Sequence, residues 1–314
     1  SLSNLKIEYI SYTNPVVNGT YNHCNYTITC YNCSSFDSAS RSVLTHEMLH
    51  ATQDFSDSEN SNKFLLETTN VIFNDEYFSN ETQELGYDGG YIDEVFITKA
   101  LMEIIDPIIL MEYHSTLDAS KVIDALTLII NDRDKAITFL EDLDNLQSIY
   151  LNIRGSNDNN LSQSLINSGQ QLREKIKETL YEYYQAKYHR SATDDLIMLH
   201  YLDNNLFIQK LKTVFHINCS EDDIYYNTVL TGNKSYFNSK LLSDKITLKI
   251  PVSYHTVYKE YNLNDAIFHE FVTKKDGKIV LIDKNSKIKD GKIIREEHQI
   301  TQFAEITIDD TNRY

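Results

Sequence analysis

Apolar and polar positions alternate through residues 5–12 (LKIEYISY) and 24–31 (CNYTITCY), both rich in Tyr, Ile and Thr. A period of two carried by branched and aromatic side chains predicts strands. Asn18-Gly19 supplies turn chemistry between them. From residue 38 the period lengthens. Residues 34–38 (SSFDS) offer capping side chains, and a helix is predicted over 38–54. Leu44, Met48, Ala51 and Phe55 recur along it at i, i+4, i+7 and i+11, a stripe expected to face the core. The polar run 54–62 (DFSDSENSN) reads as a loop. Helices are predicted next over 63–78, 92–105, 118–131 and 134–146, with Pro107 ending the one at 92–105. Residues 154–160 (RGSNDNN) have the composition of a linker, and long helical patterns follow at 161–188 and 193–215. Beyond 235 the alternation returns. Strands are predicted over 245–258, 266–274, 278–283, 292–296 and 300–308, with Asp276-Gly277 and Asp290-Gly291 as hairpin turns.

Charge divides the chain at the same place. Of 29 basic and 46 acidic side chains, residues 236–314 hold 13 and 12, and residues 1–235 hold the other 16 and 34. Three units are expected: 1–153, a helical 154–235, and a small β-rich 236–314. The overall charge of −17 repels phosphate backbones, so no nucleic-acid partner is expected. No run approaches the ~18 apolar residues of a spanning helix, and the opening residues show no basic-then-apolar leader, so no direct membrane insertion is expected. Cys30-Tyr-Asn-Cys33 has no second pair to complete a structural zinc site. Cys24, Cys30, Cys33 and Cys219 are expected as thiols, with one local disulfide as the alternative.

One motif carries chemistry. Residues 46–50 read His-Glu-Met-Leu-His. On a helix His46 and His50 stand one turn apart on one face, where two imidazoles can hold one Zn2+ ion. Glu47 is placed to act as general base toward a water at that ion. The helix is expected to bury its Leu44 stripe and present both histidines to a cleft. Catalytic zinc takes three protein ligands and keeps one open position. Glu67 is the candidate third ligand, in an apolar stripe with Phe64, Val71 and Phe78, because a carboxylate buried there needs a partner. Glu94 is the rival, with Tyr91, Thr98, Leu101 and Ile105 along its face. Tyr87, Tyr91, Tyr113 and His114 are in range to stabilise an oxyanion.

His46-Glu47-Met48-Leu49-His50-Ala51-Thr52-Gln53, with Phe64-Leu65-Leu66-Glu67 and Asn74-Asp75-Glu76-Tyr77-Phe78, resembles the gluzincin zinc metallopeptidases. The closest likeness is to small zincin-like proteins of low-GC Gram-positive bacteria, and Lys99 to Ile105 resembles theirs too. The resemblance covers about residues 40–145. It implies hydrolysis of peptide or protein substrates, with Glu47 as base and His46, His50 and Glu67 as ligands. It also implies an edge strand lining the cleft, a part that 24–31 could take by β-addition. Val71 departs from the acidic residue that gluzincins often carry four after the glutamate ligand. Asn70, Asp54, Asp75 or a backbone carbonyl would then orient a ligand histidine.

The fold class expected is α+β: a zincin-like unit of small sheet, active-site helix and helical subdomain, with a small antiparallel β domain at the C-terminal end. The alternatives are a non-enzymatic surface or binding protein on a zincin scaffold, and a zinc hydrolase of a non-peptide amide. The composition, rich in Asn, Tyr, Ile and Lys and without Trp, points to an AT-rich bacterial genome and a secreted or cell-surface location.

Overall fold

A computed structural model describes residues 4–11, 19–31, 38–55, 61–82, 91–155, 163–219, 228–231, 245–262, 272–275, 278–281 and 285–309. The fold is mixed α+β. It opens with a three-stranded sheet of β1 (Lys6–Ile10), β2 (Gly19–Asn22) and β3 (Thr27–Tyr31), in the order β1-β3-β2. β1 runs parallel to β3, and β2 is antiparallel to it. Gly19 therefore opens a strand instead of making a turn. The tight reversal comes later, at 23–26, where Tyr26 takes φ 54°. The segment 24–31, expected as an edge strand, supplies the middle strand, and β2 and β1 form the edges.

Helix α1 (Ser38–His50) packs on β2 and β3. Ile28, Cys30 and Val43 make a small apolar cluster between them. The helix stops four residues short of the expected 54. Thr52 and Gln53 bond their N–H groups to Leu49 O and His50 O in a tight turn, and Asp54 N–H reaches Ser115 O at 3.0 Å. α2 (Lys63–Thr82) starts on Asn62. The Asn62 Oδ1 caps Leu65 N–H at 2.9 Å, its Nδ2 donates to Leu140 O at 2.8 Å, and its carbonyl accepts from the Tyr113 hydroxyl at 2.5 Å. One buried residue thus pins the start of α2 to two later helices.

α3 (Ile92–Ile104) is innermost, buried from Glu94 through Ile104. α4 (Pro107–Thr116) was not legible as a helix. Pro107 stops α3, but it also opens α4 at a position that needs no N–H, behind the Asp106 cap. α5 (Ser120–Ile130), α6 (Arg133–Gly155) and α7 (Gln163–Tyr188) follow. The pattern at 193–215 is broken into a 3-10 turn (Ala192–Asp194), α8 (Leu196–Leu202) and α9 (Asn204–Thr213). Asp195 and Asp203 each cap a new start, with Asp195 Oδ1 2.8 Å from Ile197 N and Asp203 Oδ1 3.0 Å from Leu206 N.

The C-terminal part is antiparallel β. β4 (Val229–Thr231), β5 (Lys245–Tyr261), β8 (Ser286–Lys289) and β9 (Lys292–Asp309) form one sheet in the order β4-β5-β9-β8. β6 (Val272–Lys275) and β7 (Lys278–Leu281) form a separate hairpin. Residues 292–308 are one long strand, not two. β8, which sequence patterning missed, joins it through Asp290-Gly291, at φ 51° and 76°. Both positive values fit a two-residue type I′ turn. Ile246, Leu248, Ile250 and Ile308 belong to the same apolar cluster as the helices. The boundary expected near 235 falls in 232–244, outside the described residues, as do 156–160 of the linker-like stretch. Cys24, Cys30 and Cys219 form no disulfide with one another, and Cys33 lies outside the described residues. No described helix is long and apolar enough to cross a membrane.

Candidate metal centre

α1 carries His46 and His50 one turn apart, with ring centroids 4.9 Å apart and nearly perpendicular planes. α2 folds back across α1 and brings Glu67 between them. Glu67 Oε2 lies 3.3 Å from His46 Nε2 and 3.6 Å from His50 Nε2. The three side chains offer ligand atoms all within 4.8 Å of one another, and the group could hold a metal ion. Burial alone would push the Glu67 carboxyl up. Hydrogen bonds and positive charge from both histidines outweigh it and hold the group well below the usual carboxylate range. The side chain is 27% exposed, so one side of the cluster stays open.

Glu94 is elsewhere. It is buried on α3 and ion-paired with Arg154 of α6. Tyr91 stacks under the same guanidinium, 4.7 Å from its ring centre. Tyr113 spends its hydroxyl on Asn62, and Tyr87 lies outside the described residues. His114 stands behind His50, buried and stacked on Phe73 at 4.3 Å. Burial, then the charges of His50 and His46, pull its imidazole down to about 4. Its Nδ1 lies 3.3 Å from Gln53 Nε2 and 3.4 Å from the Thr69 hydroxyl.

The stripe expected to face the core is only partly buried: Leu44 and Phe55 pack against apolar clusters, but the most deeply buried face is another one. Met48 is 41% exposed, whereas Val43, His46, Glu47, His50 and Gln53 are buried. The reactive face of α1 is thus its packing face, against α2 and the sheet. This is tolerated because each polar group there has partners. His50 Nδ1 meets Gln53 Oε1 at 2.8 Å. Gln53 Nε2 donates to Asn70 Oδ1 at 3.2 Å, and Asn70 Nδ2 to His46 O at 3.5 Å. Of the residues expected to orient a ligand histidine, Asn70 is one step removed, Asp54 is exposed, and the Asp75 side chain lies outside the described residues.

Glu47 sits under β2. A Cβ placed on Gly19 would come within 2.8 Å of Glu47 Oε1 and 2.6 Å of Val43 Cγ1. The glycine lets the edge strand close onto the carboxylate. Sequence reasoning missed Gly19 and Gln53 as site residues. The only signals were a Gly at a strand start and an amide three residues after His50. Searches against protein-family models, curated proteins and solved structures return no match to this chain.

Proposed function

We propose that this chain is a zinc-dependent peptide hydrolase of gluzincin type. The observation that carries the reading is the convergence of His46 Nε2, His50 Nε2 and one Glu67 oxygen, with Glu47 adjacent on the same buried face. Two imidazoles and one carboxylate form the donor set of a catalytic zinc with an open fourth position. With His50 Nδ1–H donating to Gln53 Oε1, Nε2 is the ring nitrogen turned to the site, which fits a ligand role.

A zinc ion held by His46, His50 and Glu67 would supply Lewis acidity here. Glu47 then accepts a proton from the attacking water as the new C–O bond forms. It returns that proton to the amine nitrogen as the C–N bond breaks. β2, the sheet edge nearest Glu47, is the strand along which an extended substrate would add, its backbone pairing with the outer edge of Gly19–Asn22. A sheet edge of this kind suits a protein or peptide substrate, which supports that reading. Nucleic acid does not fit the charge.

The test is metal analysis of the purified chain together with mass-spectrometric readout of a peptide library, for wild type and Glu47→Gln. One zinc per chain in both proteins and cleavage by wild type alone is expected. Zinc without cleavage would favour the binding-scaffold reading. Equal cleavage by Glu47→Gln would remove Glu47 as base.

A further inference from the structure

We propose that Gln53 is the positioning residue for His50, and that the direction of its amide is set by a hydrogen-bond relay that begins and ends on the two histidine ligands. This rests on the zinc reading above. The relay can be followed atom by atom. The His46 carbonyl can only accept, so the Asn70 atom facing it at 3.5 Å is the NH2 group. Asn70 Oδ1 is then turned toward Gln53, whose Nε2 donates to it at 3.2 Å. The same Nε2 lies 3.3 Å from His114 Nδ1. That nitrogen also lies 3.4 Å from the Thr69 hydroxyl. With both donor contacts of the amide fixed, its Oε1 is the end left for His50, 2.8 Å from Nδ1. An oxygen there requires a proton on His50 Nδ1, which makes Nε2 the nitrogen available to a metal beside Glu67.

Reversing the Gln53 amide would set oxygen against oxygen at Asn70, and at His50 it would favour the tautomer that puts the proton on Nε2. Gln53 and Asn70 are too buried for water to relieve such a mismatch. The polarity of the relay therefore descends from a backbone carbonyl, which cannot be inverted. The relay also couples the two ligands, since it holds the backbone of His46 and the ring of His50 together. It puts a neutral amide where many zinc sites use a carboxylate. The amide fixes the tautomer without adding negative charge.

The experiment is zinc affinity by chelator competition, with the visible spectrum of the cobalt-substituted protein, for wild type, Gln53→Ala and Gln53→Glu. The melting temperature of each metal-free chain is measured alongside. Gln53→Ala should weaken zinc binding by roughly 10–100-fold and alter the cobalt spectrum. Gln53→Glu keeps an acceptor for Nδ1–H but loses the donors to Asn70 and His114. It should melt below wild type yet bind zinc within a few-fold of it. A purely structural role would weaken both variants alike, and that result would overturn the proposal. Unchanged zinc affinity in Gln53→Ala would overturn it too, leaving the metal reading intact. Failure of the wild-type chain to take up zinc would overturn both.

Discussion

Replacing Gly19 by Ala tests how closely the edge strand and Glu47 depend on each other. The added methyl would lie 2.6 Å from Val43 Cγ1, 2.8 Å from Glu47 Oε1 and 2.9 Å from Glu47 Cγ. Carbon contacts settle at ~3.5–4.0 Å, so about 1 Å must be found somewhere. Val43 has little room, being 3% exposed and packed with Ile28 and Cys30. The adjustment therefore falls on β2, which lifts, or on the Glu47 side chain, which swings. Overpacking of this kind costs about 1–3 kcal/mol, and a reactive group misplaced by ~1 Å can cost about 100-fold in rate. Zinc affinity should change little, because the three nearest atoms belong to Val43 and Glu47 and none to a metal-binding side chain. The assays are urea unfolding, zinc content, and turnover of the best peptide found in the library screen. Gly19→Ala with wild-type stability and wild-type turnover would refute the argument. A loss of zinc equal to the loss of turnover would show that the strand acts on the metal group, not on Glu47.

Zinc affinity should fall by orders of magnitude in Glu67→Ala and stay within a few-fold of wild type in Glu94→Ala, measured by chelator competition; the reverse ranking would move the third ligand to α3. Asn62→Ala removes a helix cap and leaves Leu140 O and Leu65 N without their partner, so it should cost about 2–3 kcal/mol in urea unfolding. Burial first, and then the charge of Lys99, pulls the His200 imidazole down to about 3. The unfolded chain therefore binds a proton near pH 6.5 that the folded chain refuses, and stability falls as pH drops from about 6.5 toward 3. His200→Phe, among the rings of Phe96, Tyr201 and Phe207, should flatten that part of the pH dependence, seen as a smaller slope of stability against pH in the variant than in wild type between pH 7 and 4.5.

What was legible in the sequence depended on how local the cause is. His46, Glu47 and His50 declare themselves because helix geometry turns a spacing of four into a shared face. Glu67 follows because a short loop joins α1 to α2. The stripe argument failed at Met48 because it counts only apolar side chains. It cannot see that imidazoles, a carboxylate and two amides satisfy one another well enough to be buried as a block. Pro107 was legible as an end and not as a beginning, since both readings use the same missing N–H and only the Asp106 cap separates them. Gly19 and Gln53 stayed hidden because each acts by a through-space approach to another element. The parallel pairing of β1 with β3 was hidden for the same reason, since alternation reports strands and not their neighbours.

The long β5–β9 pairing has a consequence for how its amide protons exchange with solvent. The ladder shifts register between Pro251, Ser253 and Tyr254. Below that break Ile246, Leu248 and Ile250 are part of the helical core. Above it the ribbon carries exposed Tyr258 and paired surface charges such as Lys292 with Glu260. Amides on the core side can exchange only when the helices come apart, whereas those beyond residue 254 need only a local peeling of the strands. One continuous strand thus contains two exchange regimes, and the irregularity at 251–254 marks the border between them.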